Sequence, residues 1–253
     1  MSTPTAVPAR QRSLAIAVNR LLYGFSRRWL LILTLLLGLY VGLPFLAPVL
    51  MKLGWTGAAN VIYALYSTQC HQLPQRSFFL FGPQAMYSLS EVQASWQNTN
   101  NPLVLRQFIG DAAMGWKVAW SDRMMSMYTS LFIGGLLYWP LRKRLRPLPL
   151  WAFALFVLPM ALDGGTHMIS DVAGIGNGFR DSNAWLAALT GNMFPTTFYS
   201  GDGLDSFNSW MRLLTGILFG IGVVWLAYPY LNDAFADIAA EIENKFKRKG
   251  LSL

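Results

Sequence analysis

Apolar and polar residues segregate along this chain into long segments. The sequence contains four long apolar stretches, which lie at about 29–51, 120–140, 149–165 and 210–231. A helix that crosses a bilayer needs about 20 predominantly apolar residues. The pattern therefore predicts an all-α fold, that of a polytopic integral membrane protein with four transmembrane helices.

The polar stretches between these spans predict two long loops on one side of the membrane, at 52–119 and 166–209. Within the first loop, Gly54 to Tyr66 is apolar but interrupted, which predicts a short interfacial or re-entrant helix in place of a fifth span. Composition agrees with a membrane protein, because hydrophobic residues make up 54% of the chain and charged residues only 13%. These values exclude an ordinary soluble domain.

Basic residues are concentrated in three segments outside the predicted spans. Five arginines and no acid precede the first span, "LRKRLRPLP" joins the second to the third, and four cations lie between Lys245 and Lys249. Cytoplasmic loops collect Lys and Arg, so we predict a multi-pass protein of the cell (plasma) membrane with both termini in the cytoplasm. The net charge of +8 then reflects topology and attraction to anionic lipids, and no nucleic-acid binding is predicted.

Both ends of the chain are predicted to be amphipathic and cytoplasmic. Residues 1–28 form a basic segment, in which 12–28 place apolar residues on one face, as in a helix that lies on the inner membrane surface. Residues 232–253 are predicted to form a separate helix, capped by Asn232. The domain organisation expected is thus 1–28, a transmembrane domain at 29–231, and 232–253.

The first outer loop contains a compact group of reactive and polar residues, "CHQLPQRS". The candidates for chemistry there are Cys70, His71, Gln72, Arg76 and Ser77. As a nucleophile Cys70 would need a lowered pKa and an orienting group. The alternative interpretation is a loop anchored by hydrogen bonds and packing, since free cysteine is often buried. A lone cysteine excludes an intrachain disulfide.

A second candidate group, "DGGTH", closes the third span. An acid at the border of an apolar helix is costly unless it is paired or faces water. A continuing helix would place Asp163 and His167 on one face, with Thr166 beside them. Gly164 and Gly165 favour the alternative, a helix that breaks there.

The fourth span opens with Asn208 and Arg212, and the second opens with Arg123. The predicted topology puts these residues on the same side of the membrane as the two groups above. Polar groups that converge at one membrane depth predict a shared pocket. Within it we expect an ion pair between Asp163 and either Arg212 or Arg123.

At these residues the sequence resembles a family of bacterial and archaeal multi-pass membrane proteins classed only as a domain of unknown function. The family motif Cys-His-Gln-x-Pro-x-Arg-Ser is intact at 70–77. Asp-Gly-x-Thr-Gln appears at 163–167, with His167 in place of Gln. Ser-x-Asn-x-x-Arg-x-x-Thr-Gly appears at 206–216, with the spacing shifted by one at Asn208.

A further family motif, Cys-x-Arg-Cys-x-Gly-x-Tyr, is degenerate in this chain. "SDRMMSMY" keeps Arg123 and Tyr128 but has Ser121 and Met124 where the family has cysteines. The family's three cysteines and histidine imply a metal site or a redox pair. The resemblance therefore leaves Cys70 without thiol partners here, and no cofactor is predicted.

The leading functional hypothesis is an outward-facing polar pocket that binds a small ligand, a lipid head group or a partner protein, with homo-oligomerisation also open. The alternative is a thiol- or metal-dependent hydrolase or oxidoreductase at the outer face. A metal ion in that second case would need Cys70, His71, Asp163 and His167 as an unusual ligand set. Transport is a weaker option, since four spans leave little room for a pathway.

Overall fold

The computed structural model describes residues 8–253, so residues 1–7 of the predicted segment 1–28 lie outside the described residues. The helices are α1 (Ala9–Lys52), α2 (Thr56–Tyr66), α3 (Leu89–Ser95), α4 (Pro102–Leu105), α5 (Asp122–Leu141), α6 (Leu150–Val172), α7 (Phe179–Ser182), α8 (Ala184–Leu189), α9 (Thr196–Tyr199) and α10 (Phe207–Arg248). The strands are β1 (Ser77–Leu80), β2 (Gly110–Asp111) and β3 (Gly115–Ser121), and a 3₁₀ turn occupies Pro74–Arg76.

Three helices in the described part of the chain are long and apolar enough to cross a membrane. They lie at Arg10–Lys52, Leu150–Val172 and Phe207–Arg248. The prediction of four spans is therefore wrong, and the span that fails is the second. Its first two residues belong to β3, so α5 begins only at Asp122, and its opening turns carry Asp122, Arg123 and Ser126. These polar residues lower the mean hydropathy of α5.

Helix α5 nevertheless packs lengthwise between α1 and α10. Its contact with α10 is close because small residues face each other. A Cβ atom built on Gly216 would lie 2.1 Å from Ser126 Oγ, and one on Gly220 would lie 1.9 Å from Ser130 Oγ. Small residues spaced by four are typical of closely packed membrane helices. The two backbones can thus approach without a layer of large side chains between them.

The two terminal segments are continuous with the helices that precede or follow them. Helix α1 runs unbroken through the predicted boundary at 28–29, and Asn232, the predicted cap, lies inside α10. At 44 residues, α1 is roughly 66 Å long, about twice the thickness of the hydrocarbon core. The helix is therefore longer than one crossing of the hydrocarbon core requires, and the predicted N-terminal segment is not a separate helix within the described residues.

Aromatic contacts hold the N-terminal half of α1 against the C-terminal half of α10 at one end of the molecule. The rings of Phe25 and Phe235 are 5.4 Å apart, and those of Trp29 and Tyr228 are 5.7 Å apart. The basic loop 142–146 lies at this end too, since Trp225 Nε1 donates to the Arg146 carbonyl at 3.1 Å. All three basic segments therefore share one end of the helix bundle.

The opposite end carries a small antiparallel sheet in the order β1-β3-β2, with Phe79 opposite Lys117. An all-α fold is thus a wrong prediction in this part of the chain. Short strands within a long loop give little sequence signal, because their alternation covers only a few residues. The predicted short helix is present as α2, whose 11 residues are too few to span a bilayer.

Helix α6 continues seven residues beyond the predicted end of the third span, to Val172. Gly164 is helical, and a Cβ atom there would lie 2.5 Å from Arg123 Nη1. The glycine therefore makes room for a guanidinium instead of ending the helix. Since the helix continues, Asp163 and His167 share one face, at 3.8 Å between Oδ1 and Nε2.

Candidate functional site

A pocket of about 470 Å³ lies at the end of the molecule opposite the termini. It is bounded by the loop before β1, the first turns of α5 and α10, and the last turns of α6. Seven of the eleven predicted site residues line it: Cys70, His71, Gln72, Arg76, Arg123, His167 and Arg212. The other four, Ser77, Asp163, Thr166 and Asn208, lie outside the lining.

The "CHQ" loop follows α2, and its conformation is fixed by the backbone of Gln72 and by two hydrogen bonds of that residue. Gln72 adopts a left-handed conformation, with φ of 50°. Its Nε2 donates to the Tyr63 carbonyl at 2.9 Å, and its own carbonyl accepts from Lys117 Nζ at 2.8 Å. Gln72 is therefore a structural anchor. Cys70 Sγ is 3.5 Å from Ser121 Oγ, while His71 is exposed at the rim.

Ser77 supports the same loop from behind. Its side chain is fully buried at the start of β1, and its hydroxyl donates to the Leu73 carbonyl at 2.8 Å. This bond closes the 3₁₀ turn that carries Arg76. Ser77 thus positions an arginine and does not face the pocket.

Arg76 reaches from this loop to two aspartates on other elements at the same end of the molecule. Its Nη1 and Nη2 donate to the two Asp171 oxygens at 2.7 and 2.8 Å, and its Nε donates to Asp202 Oδ2 at 2.9 Å. A bidentate Arg–carboxylate pair fixes geometry as well as charge. Arg76 therefore ties the loop before β1 to the end of α6 and to the loop before α10.

Arg212 completes the network through the same aspartate. Its Nε donates to Asp122 Oδ1 at 2.8 Å and its Nη1 donates to Asp202 Oδ1 at 2.6 Å. Burial alone would raise the pKa of Asp202, but the guanidiniums of Arg76 and Arg212 outweigh it and hold the pKa of this carboxyl well below its usual range. Asp202 therefore stays ionised between two arginines.

Asp163 forms a second ionic centre close to the first. Arg123 Nη2 donates to its Oδ2 and Arg180 Nη2 donates to its Oδ1, both at 2.7 Å. The pair with Arg123 is one of the two expected from sequence, whereas Arg212 pairs with Asp122 and Asp202 instead. A buried carboxylate between two guanidiniums has its charge compensated.

His167 sits beside this centre with only 5% of its surface exposed. Its Nε2 is 3.1 Å from Arg180 Nη2. A guanidinium can only donate, so Nε2 must be the acceptor and the ring proton belongs on Nδ1. Within residues 8–253, that Nδ1 has no hydrogen-bond partner.

Thr166 and Asn208 lie close to Arg180. The Thr166 hydroxyl donates back to the Leu162 carbonyl at 2.8 Å within α6. Asn208 Oδ1 accepts from Arg180 Nε at 3.2 Å, and its Nδ2 donates to the Arg180 carbonyl at 2.7 Å. Asn208 is therefore a positioning residue for this arginine.

The charges of the network are distributed unevenly around the pocket. Arg76, Arg123 and Arg212 all line it, but of the aspartates that pair with them only Asp171 does so among the described residues. Their remaining acidic partners lie behind the wall. Three arginines and one of these aspartates therefore line the pocket, so its lining carries more positive than negative charge, although the network as a whole is close to neutral.

Comparison with known proteins places this arrangement in a family context. Residues 112–226 match the model of a family described as predicted membrane protein (DUF2085). The chain resembles DUF2085. This match confirms the resemblance to a membrane protein family of unknown function, and it contains Arg123, Asp163, His167 and Arg212 but not the 70–77 motif.

The chain is also 29% identical over 184 residues to the uncharacterized protein MJ1492 of Methanocaldococcus jannaschii. The similarity covers 69% of this chain and 90% of that protein. No solved structure matches the chain. The similarities therefore establish a predicted membrane protein of unknown function, as expected, and nothing among them supports an enzyme.

Several residues of the network were not among the predicted site residues. Asp122, Arg180 and Asp202 lie inside the DUF2085 match, and Asp171 does as well. In the sequence these aspartates resemble ordinary loop acids. The available signal was Arg180, a lone arginine among the acids of 166–209, which has to find a partner if it is buried.

The described residues do not fit a metal centre. Within residues 8–253, no three His, Cys, Asp or Glu side chains are arranged so that they could hold a metal ion. Of the proposed ligands, Asp163 already accepts from two guanidiniums. Structural zinc sites need four ligands and catalytic sites usually three from the protein, so the set Cys70, His71, Asp163 and His167 is not assembled.

Proposed function

We propose that this membrane protein binds a small anionic ligand in its outward-facing pocket. The observation that carries the proposal is the cationic wall, in which Arg76, Arg123 and Arg212 line the cavity while most of their acidic partners lie behind it. Planar guanidiniums match carboxylate and phosphate groups.

Arg123 is the arginine best placed to bind such a ligand. Its side chain is the most exposed of the three, at 19%. Its Nε is buried and has no hydrogen-bond partner in the described part of the chain. A buried unpaired donor costs free energy, which a ligand acceptor would recover.

The proposed orientation of the protein in the membrane is inferred from the positions of its basic segments. The basic segments share the end opposite the pocket, and Lys and Arg favour the cytoplasmic side. We therefore infer that the termini are cytoplasmic, that the membrane is the plasma membrane, and that the pocket opens outward.

The test is thermal unfolding of the purified full chain in neutral detergent, with inorganic phosphate or succinate against chloride at constant ionic strength. We expect a saturable rise in unfolding temperature, which corresponds to about 2.7 kcal/mol at a ligand concentration of one hundred times Kd. Arg123→Gln is expected to abolish the rise. Arg144→Gln, in the exposed basic loop at the far end, is the matched control.

An equal rise in both variants would mean that the anions act on general surface charge, and the proposal would fail. Arg123→Lys separates charge from shape. It keeps the positive charge but loses the guanidinium fork, so we expect weakened binding and not full recovery.

A further inference from the structure

We propose that the anionic ligand is the phosphate head group of a membrane lipid with net negative charge, such as phosphatidic acid, which enters the pocket sideways from the bilayer. This inference rests on the proposed function and specifies the ligand. It follows from where the pocket opens, which residues form its rim, and how deep it lies relative to the candidate spans.

The rim of the pocket is partly a lipid-facing surface. Met168 lines the pocket, yet 70% of its surface is exposed. It belongs to α6, one of the helices that are long and apolar enough to span a membrane. An exposed methionine on such a helix faces acyl chains, so this side of the pocket borders lipid.

Met168 is also continuous with the rest of the exposed face of α6. The exposed residues Leu155, Leu158, Leu162 and Ile169 follow one another at spacings of three, four and seven. This spacing defines one stripe along a helix. An acyl chain that leaves the pocket at Met168 would therefore meet an unbroken apolar surface.

The other side of the rim is polar and lies in the outer loops. His71 and Asn100 line the pocket there, and both are exposed. The pocket thus borders the aqueous side and the lipid side at once, as a molecule with a polar head and apolar chains requires.

The depth of the pocket agrees with a lipid head group. His167 is near the end of α6, and Arg212 is near the start of α10. Both helices are candidate spans, so the cationic wall lies where a span leaves the apolar core. Lipid phosphates lie at that level, and two residues that line the pocket, Arg123 and His167, each have a buried nitrogen, Nε and Nδ1, without a partner among residues 8–253.

The experiment compares ligands that share the phosphate but differ in their chains. Thermal unfolding of the full chain in neutral detergent is measured with inorganic phosphate, glycerol 3-phosphate, dihexanoyl phosphatidic acid and dihexanoyl phosphatidylcholine. We expect dihexanoyl phosphatidic acid to act at a concentration at least about tenfold lower than either soluble phosphate, because its chains bury apolar surface. Phosphatidylcholine at the same concentration controls for a detergent-like effect.

Two tryptophan substitutions on α6 locate the lateral opening. Met168→Trp fills the apolar rim of the pocket. We expect it to weaken the binding of phosphatidic acid about tenfold and to leave the binding of inorganic phosphate unchanged. Val172→Trp is the matched control, since Val172 is 86% exposed one turn further along and does not line the pocket. Tryptophan is tolerated at membrane interfaces, so both variants should fold.

Equal potency of inorganic phosphate and phosphatidic acid would overturn the lipid inference and leave the proposed anion site standing. The same applies if Met168→Trp and Val172→Trp behave alike, or if phosphatidylcholine matches phosphatidic acid. If no phosphate compound stabilises the protein and succinate is also without effect, the proposed function fails together with the inference.

Discussion

At the scale of single residues, Lys117 shows how burial shifts the protonation equilibrium of a lysine. Its side chain has no exposed surface, and burial lowers its pKa from 10.5 to about 7. Nζ donates to the carbonyls of Gln72 and Arg106, at 2.8 and 2.7 Å. Two of its N–H groups thus have carbonyl acceptors, and burial, not these hydrogen bonds, favours the neutral amine.

This environment makes stability depend on pH. Between about pH 7 and 10.5, the unfolded chain binds a proton at Lys117 that the folded chain lacks, so stability rises as pH rises. The slope is at most about 1.4 kcal/mol per pH unit. Lys117→Met is expected to remove this slope in unfolding measured from pH 7 to pH 9.

The matched control is Lys143→Met, in the exposed basic loop. It should keep the slope of the unaltered protein. A Lys117→Met protein whose stability still rises with pH by the same amount would show that another group is responsible.

At the scale of elements, the contact between α5 and α10 depends on small side chains. Gly220 lies against Ser130, and a Cβ there would be 1.9 Å from Ser130 Oγ and 2.8 Å from the Met127 carbonyl oxygen. The clash with the backbone oxygen cannot be relieved by a rotamer change. The two helices would have to move apart, and the first turns of both carry pocket residues.

Gly220→Ala is therefore expected to destabilise the protein by about 1–3 kcal/mol, as overpacking does. Thermal unfolding in detergent measures it. Adding Ser130→Ala removes the Oγ contact but leaves the Met127 contact, so the double variant should recover only part of the loss.

Gly24→Ala is the control for the change of residue type, because Gly24 is also inside a long helix but has no atom within 4 Å of the added Cβ. It should be neutral or slightly stabilising, since alanine is the better helix former. If Gly220→Ala were equally harmless, the close approach of α5 and α10 would not be important for stability.

At the scale of the whole molecule, the two ends of the helix bundle differ in charge and in the structural elements that they carry. One end holds the start of α1, the end of α10 and the basic loop, and the other holds the sheet and the pocket. Arg20 Nη2 donates to the Ser252 carbonyl at 2.8 Å, although 232 residues separate them. Both termini are thus predicted to lie on the same side of the membrane, and the pocket on the other.

Single-cysteine variants test this arrangement, because the native chain has only Cys70. In a Cys70→Ser background, Asn98→Cys reports on the pocket end and Ser252→Cys on the other, and both positions are exposed. In intact cells a membrane-impermeant maleimide should label Asn98→Cys, and label Ser252→Cys only after permeabilisation. The reverse pattern would invert the orientation, and labelling of both would contradict opposite ends.

The apolar pattern by itself determined that this is a helical membrane protein. It also located α1, α6 and α10, because a span of about 20 apolar residues is a local property of the sequence. Local pattern misjudged α5, whose polar first turns are satisfied by partners far away in sequence. It also missed β1 and β3, whose pairing joins residues about 40 apart.

For the site, residue type indicated where polar groups would meet, and the partner of each group depended on the tertiary structure. Asp163 was expected to pair with Arg123 or Arg212, and the fold gives it Arg123 and Arg180. Asp202 resembles any loop acid until the loop brings it between Arg76 and Arg212. Sequence spacing constrains neighbours on one helix, but the distance between charges on different elements exists only once those elements have packed.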